Sequence, residues 1–533
     1  MFNSETEAVI RSIPGIGKID IDRLPQELTN IYATIVGLRR QFSGGIINYQ
    51  VPELFEGINL LQTLAYNLET ILITDPNHEN KESIAFVAGT AHSLLHRIGF
   101  VEGEMREYLN SDSISSFISA IVLFLISNNQ PDAAEVSRKM NPAKSEHGSR
   151  SILVQYIQAL AKGNLLEIIE NPLTEPIYKD GDDVNSYAIN LLWANLSKGL
   201  YSIASALLGT QQETDADVYF DNVIKLSVFD LAYTSQRSVI TGPYHLAKLL
   251  KMSQDLLSRA VVHIAVPPGV DVFLWDDFKA ELAKTRPYLW SNHVDAIRTN
   301  FLTPGQSAVV TLPTGAGKST LAELKIAATC FSSRRVLYLV PTHPLEDQVK
   351  SNLGALFNGY LGTELEVDGE VTDLNQGENE SIMVMTPERC LTMMNVAPSS
   401  LNNIGLIVFD EFHLIHGAPG TTDERSQNAM FCLLSLFATQ PKADYLLISA
   451  MVQNGEEIRD WIVAVTNRVC HLFDSAWKPT RQLHGCLVYD QNEIDKLAAK
   501  AQGDRSERQA NKRNSPSPSL IRQLTAIPYC FSV

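Results

Sequence analysis

No stretch of the 533 residues stays apolar for the about 20 positions that a membrane-crossing helix needs. The longest apolar patch, ISSFISAIVLFLI from Ile114 to Ile126, falls short of that and reads as a buried helix. The opening MFNSETEAVIRSIPGIGK has no apolar signal core, so secretion is not expected and a cytoplasmic protein with no membrane contact is. Cysteine is scarce and widely spaced. All six (Cys330, Cys390, Cys432, Cys470, Cys486 and Cys530) fall late in the chain, with no close pair to form a zinc knuckle or redox motif, and buried free thiols are expected. Positive charge is also in deficit: 43 Lys and Arg face 60 Asp and Glu, a net charge of -17. That excludes a surface uniformly attractive to polyanions, so any nucleic-acid contact has to come from a local groove of backbone amides and hydroxyls. What is present is a soluble globular composition, 45% hydrophobic and 19% charged, in a chain too long for one ordinary core.

Up to about residue 265 the pattern is helical almost throughout. In SYAINLLWANLSKGLYSIASALL, Ile189, Leu192, Trp193, Leu196, Leu200, Ile203 and Leu207 recur at three and four residues and line one helix face. The segment around Phe86, Ala91, Leu94, Leu95 and Ile98 behaves alike, and turn clusters such as TDPNHENKE and KDGDDVN separate such runs. Three features invite a functional reading, and each has a plainer one. IPGIGK, Ile13 to Lys18, has the form of a DNA-binding hairpin but also of a simple Pro-Gly turn. His92 and His96 stand one helical turn apart, as zinc ligands do, yet Ser93 occupies the place of a zinc protease's glutamate, so packing histidines are expected. DVYFDNVIKLSVFDLAY reads as a core helix.

At VPPGVD, Val266 to Asp271, the helical pattern breaks. The expected organisation is a helical N-terminal domain over 1–265, a linker over 266–287, an α/β domain over 288–490 and a polar, linker-like tail over 491–533. Within the α/β part, short β-branched runs (SAVVTL, VLYLV, SIMVM, GLIVFD, YLLISA) alternate with helical stretches, the pattern of a parallel sheet wrapped by helices. Ligands of such sheets bind at the carboxyl ends of the strands.

Those ends carry the chemistry. SAVVTL runs into Pro313-Thr314-Gly315-Ala316-Gly317-Lys318-Ser319-Thr320 and then an amphipathic helix, the order a phosphate cradle needs. Gly315 and Gly317 let backbone amides turn inward, Lys318 neutralises phosphate charge, and the Ser319 hydroxyl suits Mg²⁺. A generic loop of this kind starts with glycine, and Leu312 stands there instead. Further on, the apolar strand IGLIVF ends in Asp410 and Glu411, with His413 following. Asp410 is a hard oxygen ligand suited to Mg²⁺, and Glu411 is placed to orient or deprotonate an attacking water.

Together PTGAGKS and DEFH resemble the first two motifs of superfamily 2 helicases of the DExH type, in which the initial glycine is routinely missing. VPTHPLEDQ (Val340 to Gln348) is similar to that family's motif Ia, TPER (Thr386 to Arg389) to motif Ib and ISAM (Ile448 to Met451) to motif III. NGEEIRDWI and WKPTRQL most resemble the superkiller-like branch. The resemblance spans about Tyr288 to Leu487. It implies a P-loop NTPase with a RecA-like sheet, ATP and Mg²⁺ as cofactors, and ATP hydrolysis coupled to remodelling of single-stranded or duplex DNA or RNA. It also implies that Pro341, Thr342, Thr386, Pro387 and Arg389 lie along a strand's phosphate backbone, and that His413, Ser449, Ala450 and Met451 link the ATP site to that groove.

Three departures accompany the resemblance. His293 stands where the family places an adenine-reading glutamine, and Met451 replaces a threonine. The family closes ATP between two RecA-like domains, whereas this chain stops at Val533, so a truncated form with weak ATP binding and slow hydrolysis is expected, or one completed by a partner chain. The competing reading is a nucleotide-binding regulatory or protein-interaction module with little or no turnover.

Overall fold

In the computed structural model the early three-and-four apolar spacing becomes a layer of helices: α1 (Leu24–Ser43), α2 (Val51–Thr74), α3 (Lys81–Gly99), α4 (Ser116–Ile126), α5 (Gln130–Ser137), α6 (Ser149–Lys162), α7 (Leu166–Glu170), α8 (Val184–Leu207) and α9 (Ala216–Leu226). The structure describes residues 23–43, 51–99, 107–140, 148–173, 176, 183–211, 215–230, 237–361, 381–415, 424–450, 452, 454–475, 486–488, 491–511 and 530–532. The IPGIGK turn, Met451 and WKPTRQL lie outside these. The chain divides into two units, Met1–Pro479 and Thr480–Val533.

α4 is apolar on every side. Ser115 caps it by accepting the Ile118 amide, and Phe117 to Ile126 are all buried against α3, α5 and the later helices of the layer. Each large apolar side chain so buried stabilises the layer by about 1.5–3 kcal/mol. Among the described residues no helix is long and apolar enough to cross a membrane. On α8 the expected stripe is inside, with Leu192, Trp193, Leu196, Leu200, Ile203 and Leu207 buried.

The layer is not wholly helical. DVYFDNVIKLSVFDLAY, expected as one helix, ends its helix at Leu226 and turns at buried Ser227 into β1 (Val228–Asp230), antiparallel to β2 (Arg237–Val239). The Val-Phe pair after the serine prefers a pleated surface, and Val228 pairs across the hairpin with Val239. α10 (Thr241–Met252) closes the layer. His96 packs on the Phe117 ring, and fully buried His92 places Nε2 3.4 Å from Glu69 Oε2.

The segment expected as a linker, 266–287, is a correction. Asp271 caps α11 (Val272–Thr285) by accepting the Leu274 amide, and Trp275, Phe278 and Leu282 are buried in the core of the following sheet. Val261 and Ile264, the last residues of the helical layer, belong to that same core. Lys279 Nζ donates to Val262 O (3.1 Å) and Ile264 O (2.9 Å), and Tyr288 OH reaches back to Leu160 O on α6 (2.9 Å). A Pro-Pro-Gly break marks a turn; it does not show whether the next helix is packed.

After α12 (Ser291–Arg298) come β3 (Ser307–Val310), α13 (Lys318–Cys330), β4 (Arg335–Leu339), α14 (His343–Leu361), β5 (Ile382–Met385), α15 (Pro387–Val396), β6 (Ile404–Phe409), α16 (Glu424–Thr439), β7 (Asp444–Ile448), α17 (Gly455–Thr466) and β8 (Cys470–Phe473). The six strands β3–β8 form one parallel sheet in the order β5-β4-β6-β7-β3-β8. Alternation sorts their side chains to two cores. Val310, Val336, Tyr338, Val384, Val408 and Leu446 face one, and Val309, Leu337, Leu339, Met383, Ile407 and Tyr445 the other. This is the expected α/β, RecA-like arrangement preceded by a helical region.

In the second unit β9 (Cys486–Val488) pairs antiparallel with β10 (Cys530–Ser532). α18 (Gln491–Asn511) occupies the start of the expected linker-like tail. Its Ala, Lys, Gln, Glu and Arg residues are strong helix formers, so polarity there went with helix rather than coil.

Candidate functional site

Strand register sets the site. Val310, Leu339, Phe409 and Ile448 end their strands within a residue of one level, so the residues that follow gather along the carboxyl edge of the sheet. Thr311 N donates to Phe473 O, Val340 N to Met385 O, Asp410 N to Leu339 O and Ser449 N to Val310 O, fixing the first residue or two of each loop. β3, from which the 313–320 loop springs, lies between β7 and β8. β6, which carries Asp410, lies one strand further.

Leu312 explains its own presence. Its side chain is buried in the sheet core and its backbone is not among the positive-φ positions, so glycine would add only a void. Gly315 and Gly317 carry the turn, both at φ 79°. Ala316 is buried, its N–H returning to Pro313 O (3.1 Å), while Thr314, Gly315 and Ser319 are exposed. Gly317 is the N-cap of α13, whose first residue, Lys318, donates to Leu312 O (3.1 Å). Burial pushes the Lys318 amine below its ordinary range, opposed by the charges of Glu411 and Asp410, so the loop cation and the acidic pair share one field.

The loop is held from outside by residues that loop motifs do not reveal. Asn292 Nδ2 donates to Ala316 O (2.7 Å). His293 Nδ1 accepts from Trp290 N (3.4 Å), which leaves the Nε2 proton for Gly317 O (3.1 Å). Thr320 Oγ1 accepts from Arg286 (3.2 Å), which also pairs with Glu323. His293, at the place expected to read adenine, is thus buried against the loop backbone. Burial lowers its pKa to about 4, against the pull of the Gly317 and Ala316 carbonyls.

A histidine kept neutral by folding carries a sign. The unfolded imidazole, near 6.5, binds a proton that the folded one refuses, so stability is full above about 6.5 and falls as pH drops toward 4. Between pH 7 and pH 5 the loss amounts to roughly 2 kcal/mol. Denaturant titrations should show His293→Gln losing that part of the acid limb, and an acid limb identical in the two proteins would refute the assignment.

At the end of β6, Asp410 Oδ2 accepts from Tyr338 OH (3.1 Å) and Oδ1 from Glu411 N (2.9 Å). Burial holds this carboxyl above the ordinary aspartate range, against the pull of the Tyr338 hydroxyl. Glu411 sits at φ 51°, a strained backbone for a residue with a Cβ. His413 Nδ1 lies 3.1 Å from Glu411 Oε2 and 3.2 Å from Ser449 Oγ, joining the acidic loop to the end of β7, where Ala450 follows. Asp410 and Ser319 are oxygen donors of the hard type that Mg²⁺ takes. Among the described residues no group of three or more His, Cys, Asp and Glu could hold a metal.

On the next two strands beyond β6, Thr342 follows β4 and Thr386 follows β5. Thr342 O accepts from Glu346 N (3.0 Å). Thr386 is the N-cap of α15, its Oγ1 accepting from Arg389 N (3.4 Å), with Pro387 at the first helical position. Pro341 is half-buried, Pro387 buried, and Arg389 Nη1 pairs with Glu346 Oε1 (3.0 Å). Tyr338, Asn292 and Glu346 are site neighbours that the sequence did not single out. The signals were faint: one hydroxyl in an apolar strand, an amide beside the noticed histidine, and one acid in a polar helix start.

A model of the DEAD/DEAH box helicase family matches residues 294–458. Of the curated proteins similar to this chain, the DExH-box ATP-dependent RNA helicase DExH9 of Arabidopsis thaliana is 25% identical over 221 residues, 41% of this chain and 19% of that protein. ATP-dependent RNA helicase mtr4 of Schizosaccharomyces pombe is 23% identical over 222 residues, 42% and 18% of the two chains. ATP-dependent DNA helicase Hel308 of Thermoplasma acidophilum is 27% identical over 192 residues, 36% and 27%. The matched part of this chain thus spans between 18% and 27% of these relatives.

Proposed function

We propose that this chain, whose residues 294–458 match the DEAD/DEAH box helicase family, is a helicase of the superkiller-like superfamily 2 branch that binds ATP at the carboxyl edge of β3 and β6. Hydrolysis there is coupled to remodelling of a nucleic-acid strand laid across β4 and β5. The observation that carries the reading is the shared field of Lys318, Asp410 and Glu411 at one sheet edge.

Each residue's part follows from its placement. Thr314, Gly315 and Ala316 shape the cradle, with Gly317 and Thr320 held from behind by His293 and Arg286. Lys318 exchanges the Leu312 carbonyl for phosphate oxygen, a stronger, charge-assisted partner. Mg²⁺, when bound, neutralises phosphate charge, and Ser319 and Asp410 would hold it. Tyr338 keeps the Asp410 carboxylate in one orientation. Glu411 accepts the proton of the attacking water, with His413 aligning its carboxylate and passing its position to Ser449. Thr342, Thr386 and Arg389 meet phosphates, which makes the grip independent of base sequence.

Among the relatives, two are named for RNA and one for DNA. The test is ATPase activity with and without single-stranded DNA or RNA, in wild type and Lys318→Ala. Removing the only charge that the loop itself brings to phosphate should abolish detectable ATP binding and stimulated turnover. Turnover unchanged in Lys318→Ala would sink the site assignment. Tight ATP binding without turnover under any condition would favour the regulatory-module reading.

A further inference from the structure

Glu346 is an acid that nothing in the ATP chemistry uses, and its side chain is only 4% exposed. Burying a carboxylate is expensive unless it is paired. Oε1 pairs with Arg389 Nη1 on α15 (3.0 Å) and with Lys350 Nζ one turn along α14 (3.0 Å), and Oε2 with His343 Nδ1 (3.2 Å). Both ends of this cluster are tied to strand-end threonines. The Glu346 amide donates to Thr342 O, and the Arg389 amide to Thr386 Oγ1.

We infer that Glu346 is a positioning residue for nucleic-acid binding: it clamps the loops after β4 and β5 at a fixed separation and presents Arg389, with Lys350 beside it, to the strand's phosphates. This rests on the proposed function above. Three links in series (Thr342 to Glu346, Glu346 to Arg389, Arg389 to Thr386) join the two loops beyond the Val340 N to Met385 O bond that continues the strand ladder. Arg389 keeps 34% of its side chain exposed. A guanidinium has five N–H donors in a rigid fork, so one edge can stay on Glu346 while another takes a phosphate oxygen. A held, part-exposed Arg389 sets one cationic fork at this sheet edge of a chain whose net charge is -17. That is the local attraction a strongly acidic protein needs before a polyanion can dock.

The test is fluorescence anisotropy of labelled single-stranded DNA and RNA oligonucleotides over a range of salt, for wild type, Glu346→Gln, Arg389→Ala, the double variant and Arg389→Lys. Binding of a fluorescent ATP analogue and the unfolding midpoint are followed alongside. Glu346→Gln should weaken both oligonucleotides by about tenfold, and the double variant should be no weaker than Arg389→Ala alone, because the two residues act as one unit. ATP affinity should hold within twofold, which a merely structural defect would not respect. Additive losses, or a Glu346→Gln protein that binds strands as well as wild type, would overturn the inference. Should Glu346→Gln fail to fold, Arg389→Lys decides: it keeps the charge but lacks the fork, and wild-type binding by it refutes the clamp. If wild type binds ATP but no oligonucleotide at all, the parent reading fails first.

Discussion

Replacing Glu411 by Gln should lower ATP turnover by about 10²- to 10⁴-fold, the usual worth of a positioned general base, while ATP affinity stays within a few-fold. The substitution keeps shape and removes only the ability to take a proton. Three features place the burden on this residue. Its backbone is held in the left-handed region at φ 51°, its N–H is committed to Asp410 Oδ1, and its carboxylate faces His413. Strain at a residue whose neighbours fix it on both sides is kept where a side chain must point one way. Asp410, by contrast, carries the Tyr338 hydroxyl and suits the metal. Single-turnover hydrolysis beside equilibrium binding separates the two roles. Equal losses of affinity and rate would show that Glu411 is a binding group, not a base.

Gly317→Ala should be as damaging, but through binding. At φ 79° the backbone already disfavours a Cβ, by about 1–2 kcal/mol. The added carbon would also overlap the His293 ring and approach Trp290. Overpacking of that kind typically costs about 1–3 kcal/mol. Together these come to roughly 2–5 kcal/mol, or about 30- to 4000-fold in ATP affinity if the loop must open to relieve them. The same substitution at Gly315, where a Cβ would meet nothing, bears only the backbone part. Isothermal titration of the two variants reads the difference, and equal affinities would refute a loop braced by His293.

The sheet was legible because its strands are buried on both faces, which makes them continuous β-branched and aliphatic runs. The five runs named from the sequence all became strands. The sixth, β8, reads CHLF, and its half-buried edge position with a histidine in the run leaves no such pattern. The phosphate loop and acidic pair were legible because covalent neighbours carry the chemistry. The brace behind the loop was not, because Asn292 and His293 meet Ala316 and Gly317 only through the fold. The hairpin after Leu226 and the packed helix α11 failed for a related reason. A turn signal says where a chain bends, not what it rejoins. For Glu346 the sequence shows one acid among polar residues, and only the approach of α15 to α14 makes it a clamp.

Tyr288 gives the boundary near residue 265 a different meaning. Its hydroxyl is fastened to α6, and two residues on, the chain begins the turn that grips the phosphate loop. Val261 and Ile264, meanwhile, sit in the core beneath the sheet. The proposed ATP site is therefore not a cassette that can be lifted out by cutting before residue 266. A fragment trimmed there would carry an open seam where Val261, Ile264 and Leu160 had been.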